Sequence, residues 1–217
     1  MKKSAIFLFV MSALTCMSFI IIPAPVRGQN VSLGLSITDG KVRDFYLSIS
    51  NYFNVPAPTI VEFRERYRLA DDELPVVFFL ARRAGVEPRV IIDLRLKGLS
   101  WWDITLHFGL NPEIFFVPVT VVKVGPPYGR ALGFYRQYRE RKTWGQIVLS
   151  DAEIVDLVNL KFISEYHKVP SDRIIELRGK GVGILDIHET IMKEKGKAKQ
   201  PNKGSGHAPS KSKGHKK

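Results

Sequence analysis

A nineteen-residue stretch occurs twice in this chain. Residues 86–104 read VEPRVIIDLRLKGLSWWDI and residues 169–187 read VPSDRIIELRGKGVGILDI, and at a constant offset of 83, without gaps, nine of nineteen positions are identical. Two unrelated stretches of average composition would share about one. A shorter third copy starts at Val55 (VPAPTIVEFRER) and shares Val, Pro, Ile, Glu and Arg with the copy at 169. Such a chain is constrained to build one local unit more than once. The unequal spacing of the copies does not make a regular solenoid.

The unit reads as three short helices. Leu74, Val77, Phe78 and Ala81 precede one copy, and Ile154, Leu157, Val158 and Phe162 precede the other, each set at helical spacing. Ser150 with Glu153 forms a capping box that starts the second of these helices. Pro88 and Pro170 suit the first position of the next helix. That helix ends at Lys97-Gly98 or Lys180-Gly181, where a cation followed by Gly matches helix C-terminal chemistry. Ser100 and Asp103 then supply the N-cap and acidic third residue of a third helix. The expected fold class is all-α: duplicated three-helix, helix-turn-helix-like units with an irregular, partly extended insert and a disordered basic C-terminal tail. The repeated residues Arg64, Arg95, Gly98, Asp103, Arg178, Gly181 and Asp186 are expected to serve the fold of the unit. The Asp would cap the third helix and the Arg would reach across the corner to it.

Charge locates the rest of the organisation. The chain of 217 residues has a net charge of +12, but Lys2, Lys3 and Arg27 account for three of these. Nine Lys against Glu194 in residues 193–217 account for eight more, and the body between is close to neutral. Lys2 and Lys3 lead into residues 5–22, an uncharged apolar run followed by Pro23, Pro25 and small residues. That pattern reads as a secretory signal peptide over residues 1–28 with cleavage after Gly28. An uncleaved inner-membrane anchor is the alternative, since eighteen apolar residues reach the lower limit for a span. Cys16 lies inside the run behind Thr15, a poor lipid-attachment setting. It is the sole Cys, so the mature chain would carry no disulfide, thiolate nucleophile or zinc–thiolate site. The expected location is periplasmic or secreted.

The remaining divisions are an N-terminal arm at 29–40, helical units at 41–110, a connector at 111–149, a second helical unit at 150–192 and a disordered Lys-rich tail at 193–217. Within the connector, residues 114–124 (IFFVPVTVVKV) are β-branched and aromatic with an internal Pro, which predicts an extended segment or an edge strand. Residues 130–144 interleave Arg130, Arg136, Arg139, Arg141 and Lys142 with Phe134, Tyr135, Tyr138 and Trp144. As a helix this segment would place Arg136, Arg139 and Lys142 on one face with aromatics beside them. That face suits phosphates, anionic lipid or single-stranded nucleic acid. The anion- or partner-binding candidates are therefore Arg130, Arg136, Arg139, Arg141, Lys142, Tyr135 and Tyr138.

Enzyme signatures are incomplete. His188-Glu189 opens an HExxH pattern that Met192 breaks. Residues 179–183 (GKGVG) follow a helix rather than a strand, so a C-cap explains them better than a phosphate loop. His107, His167 and His188 lack partners at metal-ligand spacing and read as half-exposed helix residues, and His207 and His215 in the tail would hold a metal only loosely. No catalytic residue, cofactor or metal is assigned. Of Trp101-Trp102, at most one can point squarely into a core, and Ile184-Leu185 at the equivalent positions favour packing over sugar stacking.

Residues 94–116 (LRLKGLSWWDITLHFGLNPEIFF) resemble the helix-turn-helix of DNA-binding regulators, with small Thr105 and turn-forming Gly109 in place. The resemblance implies major-groove binding. Pro112 and the apolar 114–117 stretch would leave its recognition helix without base-reading side chains. A cell-wall hydrolase is the other alternative, and would need Glu62, Glu73, Asp103, Glu113 or Asp186 to converge in a cleft. The leading expectation is a non-catalytic cell-envelope binding or scaffold protein. Its partner would be an anionic envelope component or another envelope protein, with nucleic acid not expected and membrane contact confined to the N-terminal segment or the tail.

Overall fold

Helix follows helix through the body of the chain. The computed structural model describes residues 39–121, 124–139 and 144–198, and among these no strand occurs. The signal-peptide and arm expectations over 1–38, and the tail beyond Ala198, lie outside the described residues. In order the elements are α1 (Gly40–Phe53), α2 (Ala57–Tyr67), α3 (Leu74–Ala84), α4 (Pro88–Leu96), α5 (Trp101–His107), a 3₁₀ turn (Pro112–Phe115), α6 (Gly129–Arg139), a second 3₁₀ turn (Trp144–Gln146), α7 (Asp151–His167), α8 (Ser171–Gly179) and α9 (Ile184–Ala198). The molecule is all-α.

Local sequence explains the boundaries. The Asp39 side chain accepts from the Lys41 amide at 2.8 Å and caps α1, so Gly40 belongs to the helix rather than to the preceding arm. Capping boxes at Ser100/Asp103 and Ser150/Glu153 start α5 and α7. The residues ending α1, α3 and α7, namely Asn54, Gly85 and Lys168, all adopt left-handed backbone. Each is followed by an amide that reaches back five residues, from Val55 to Ser50, Val86 to Ala81 and Val169 to Ser164. The next helices begin at positions 57, 88 and 171. α4 and α8 start and end 83 residues apart, as do the starts of α5 and α9. Gly98 and Gly181 sit at φ 90° and 81°, the geometry that lets the chain leave α4 and α8.

Residues 74–81 are buried without interruption, which is why they read LPVVFFLA with no polar break. α3 packs against α4 and α7, α7 against α8, α9 and α5, and α1 against α2 and α9. Between these helices an aromatic cluster forms, with Phe45, Tyr52 and Phe53 each against Phe162 and Phe63 stacked on Phe78 at 5.6 Å. Trp101 is fully buried and Trp102 half-buried, so both serve packing.

Three sequence expectations change. Ile114 and Phe115 close a 3₁₀ turn instead of entering a strand. The Asn111 side chain accepts from the Glu113 amide, Pro112 stands at the first position, and Phe115 is drawn into the core. At Phe116 the backbone is extended, and among the described residues no strand lies alongside to pair with it. α9 continues past residue 192 to Ala198, because Lys193 pairs with Glu189, Glu194 with Arg173 at 2.7 Å, and Lys195 donates to the His167 carbonyl. The six residues 193–198, which composition placed in the tail, thus belong to α9.

The repeated arginines do not bind the repeated aspartates. Arg95 reaches Asp151 at 2.6 Å, Glu73 at 3.3 Å and the Leu99 carbonyl at 3.0 Å. Arg178 reaches Asp156 at 3.0 Å and the Val182 carbonyl at 3.3 Å, the partners displaced by the same 83 residues from Glu73 and Leu99. Arg64 takes Asp71 at 2.8 Å. Asp103 is turned to solvent and spent on the Ser100 cap, while Asp186 accepts from Lys41 at 2.6 Å. The reason is spatial. The last turns of α4 and α8 face the acidic N-termini of α3 and α7, and Asp103 and Asp186 lie on the far side of the corner.

Replacing Arg178 by Leu strands the buried Asp156 carboxylate, and unfolding in urea should show a loss of about 2–3 kcal/mol. Arg66→Ala, which breaks an exposed pair with Glu62 at 3.1 Å, should cost under about 0.5 kcal/mol by the same measurement.

Candidate functional site

The basic and aromatic segment at 130–144 supplies α6, but its residues divide between core and surface. Arg130 grips Glu153 with both arms of its guanidinium, at 2.7 Å through Nε and through a second, shorter contact at Nη2. Burial raises the Glu153 carboxyl, yet the bonds from Arg130 and Ser150 outweigh that and hold it below its usual range. Tyr135 is buried and donates to the Pro112 carbonyl at 2.7 Å, with Phe116 and Trp144 against its ring. Arg136 is exposed and donates to the Val121 carbonyl at 3.4 Å. Tyr138 and Arg139 belong to the last turn of α6, and Arg141 and Lys142 lie outside the described residues. Arg130 and Tyr135 therefore anchor α6 to the body, and Arg136 remains the exposed cation.

A second basic group was not legible as a motif. Arg82 and Arg83 end α3 on its exposed side, and neither has a carboxylate partner among the described residues. The Arg82 guanidinium lies 4.8 Å from the Phe53 ring centroid and donates to the Tyr52 carbonyl at 2.8 Å, while Arg83 lies 5.3 Å from the Phe79 ring. Half-buried Lys161 on α7 donates to the Ile114 and Phe116 carbonyls at 3.2 Å each. Burial pushes its ammonium below the usual value, nearby Arg83 adds to this, and Glu165 opposes it. Glu165 in turn accepts from the Tyr52 hydroxyl. Beside this group lies a cavity of about 120 Å³ that includes Lys161, Glu165 and Ser164.

The third feature contradicts the expectation that the histidines are half-exposed. His107 is exposed, but His167 and His188 are buried against each other with ring centroids 4.8 Å apart. Phe45 of α1 meets the His188 ring edge-on at 5.4 Å. Nε2 of His167 and both nitrogens of His188 are sealed from solvent without a hydrogen-bond partner among the described residues. Burial, with Lys195 adding to it, pushes His167 down to about 4; burial, with His167 adding to it, does the same to His188. Helical spacing carried this information, since Ile184, Ile187, His188 and Ile191 form one stripe, as do Leu160, Ile163 and His167. Alongside the pair, a groove of about 380 Å³ runs between α1, the end of α7 and the last turns of α9.

The carboxylates suggested for hydrolysis do not converge. Glu62 pairs with Arg66, Glu73 with Arg95 and Asp186 with Lys41, while Asp103 caps α5 and Glu113 lies in the first turn after Asn111. None of the five lines the cavities described above. Among the described residues no group of three or more His, Cys, Asp or Glu is placed to hold a metal ion, and no helix is long and apolar enough to cross a membrane. The segment that a helix-turn-helix would place in a DNA groove is the four-residue 3₁₀ turn, with Pro112 and Phe115 buried. No family model, curated protein or solved structure matches the chain.

The depressed histidines fix a pH dependence. Both imidazoles bind a proton more readily when unfolded, near 6.5, than when folded, near 4, so their stabilising effect is complete above pH ~6.5 and is lost as pH falls toward 4. Urea unfolding followed from pH 7.5 to 4.5 should show a decline of about 5 kcal/mol from this pair, about half from each imidazole. His188→Leu should remove at least half of that decline; a profile parallel to the wild type would assign the pH dependence elsewhere.

Proposed function

We propose that this protein is an exported, non-catalytic helical binding protein of the cell envelope whose partners are anionic. The observation that carries the reading is the Arg82, Arg83 and Lys161 group. Two exposed guanidiniums without carboxylate partners among the described residues end α3, Arg83 acts on an ammonium already partly withdrawn from water, and aromatic rings hold the arginines in place. A cation fixed in this way has less side-chain freedom to lose on meeting a phosphate or carboxylate. The exposed Arg136 extends the same chemistry to α6.

Two sequence features support the cellular setting. Lys2, Lys3 and the apolar run that follows have the form of an export signal. Nine Lys in residues 193–217 would concentrate the protein near any anionic surface in a salt-dependent way. The partner class follows from both: an acidic lipid surface, a phosphorylated glycolipid or an acidic wall polymer, met first by the tail and then by the folded body.

Cosedimentation with vesicles of one-third phosphatidylglycerol in phosphatidylcholine tests this. The mature chain should bind at 50 mM salt and release near 500 mM. Arg82→Glu with Arg83→Glu should weaken binding at least tenfold at low salt, since each cation near such a surface contributes about 1 kcal/mol. Binding unaffected by the double reversal would remove the folded body from the interaction.

A further inference from the structure

α1 and α9 lie side by side and run in the same direction. Lys41 meets Asp186 near the two starts, and one turn on Phe45 meets His188. Beyond these contacts the helices and the C-terminal end of α7 frame the 380 Å³ groove, whose lining includes Asp44, Leu47, His167, Met192 and Lys195. Its volume is that of a small-molecule site.

The imidazole pair behind the groove is the independent observation. A buried polar group without a partner is destabilising, and folded proteins retain few of them without a ligand, water or functional reason. Here three nitrogens of two adjacent rings are in that state, and His167, 6% exposed, belongs to the groove wall. The fourth nitrogen, Nδ1 of His167, is the one not sealed from solvent. An acceptor placed at that nitrogen selects the tautomer with its proton on Nδ1. The lone pair on Nε2 then becomes an acceptor for an N–H of His188, whose ring centre is 4.8 Å away. One ligand oxygen can thus satisfy three of the pair's four nitrogens.

The charges of the groove define the rest of the ligand. Lys195 spends one of its three donors on the His167 carbonyl and has two more. Asp44 has only a loose contact with Arg43, at 3.5 Å. One fixed cation, one fixed anion and the apolar Leu47 and Met192 complement a molecule with both charges and an apolar body. We propose that the groove between α1, α7 and α9 binds a small zwitterion of the α-amino-acid class, its carboxylate on Lys195 and His167 Nδ1, its ammonium on Asp44 and its apolar side chain against Leu47 and Met192. This site is separate from the Arg82–Arg83 surface and does not depend on it.

Calorimetric titration of the mature protein at pH 7 with L-leucine, its amide (no carboxylate) and 4-methylpentanoate (no ammonium) tests the assignment. Leucine should bind with a dissociation constant of tens to hundreds of micromolar, the range of efficient ligands of about nine heavy atoms. Each analogue should bind at least tenfold more weakly. Lys195→Gln and Asp44→Asn, checked for folding by circular dichroism, should each lower leucine affinity tenfold or more. Asp44→Asn should leave 4-methylpentanoate binding no weaker than in the wild type. Saturating leucine should also shift the His188 imidazole resonances, although His188 does not line the groove. No saturable heat with leucine up to 10 mM, either analogue binding as tightly as leucine, or wild-type affinity in both variants would overturn the proposal. Unmoved His188 resonances in the presence of bound leucine would overturn the imidazole relay.

Discussion

The fold depends on arginines that leave the ends of short helices and enter the acidic starts of long ones. Arg95 and Arg178, in the last turns of α4 and α8, each hold one carboxylate from the equivalent place, Glu73 or Asp156, and one carbonyl from the turn that follows their own helix. A guanidinium is suited to this because its five donors are fixed in a plane and can satisfy a side chain and a backbone group together. Arg95 takes Asp151 as well, and Asp151 accepts from the Trp101 amide at 2.7 Å, so one carboxylate ties α4, α5 and α7. Asp156 shows the strength of the constraint. Burial raises its carboxyl, and Arg178 is the principal opposing influence. Without these contacts the corners would have no fixed angle, since the short helices α4 and α8 each bury only two or three residues.

α4 and α8 share the same bounds at an offset of 83 residues, and the positions around them that differ in sequence differ in chemistry. Thr105 and His188 occupy equivalent positions, both fully buried. Thr105 satisfies itself by donating to the Trp101 carbonyl at 2.7 Å, while His188 has no partner of its own. Ala84 and His167 are likewise equivalent, so the imidazole pair exists in one unit only. α5 stops at His107 after seven residues, whereas α9 runs for fifteen and supplies Met192 and Lys195 to the groove. The groove therefore combines α1 residues Asp44 and Leu47 with α7 and α9 residues that are not repeated 83 positions earlier.

Much of the helical order was legible because it rests on local chemistry. Capping boxes, turn glycines and apolar stripes depend on residues within four or five positions of one another. The partners of Arg95 and Arg178 were not legible, since a conserved spacing to Asp103 or Asp186 says nothing about which side of a corner each side chain occupies. The 3₁₀ turn at Pro112 prevailed over β-branched composition because a local cap and a buried Phe115 decided the backbone first. For His167 and His188 two sequence signals conflict, since the polarity of an imidazole points to solvent while their places in apolar stripes point inward, and in the fold the periodicity prevails. The groove itself was beyond sequence reading, as its wall joins residues near 44, 167 and 195.

The central claim is that this helical body works outside the cytoplasm as a binding protein. Intact mass and compartment of the native protein from fractionated cells test it most directly. A soluble periplasmic or secreted species beginning near Gln29 is the predicted result. A full-length species confined to the cytoplasm would contradict it.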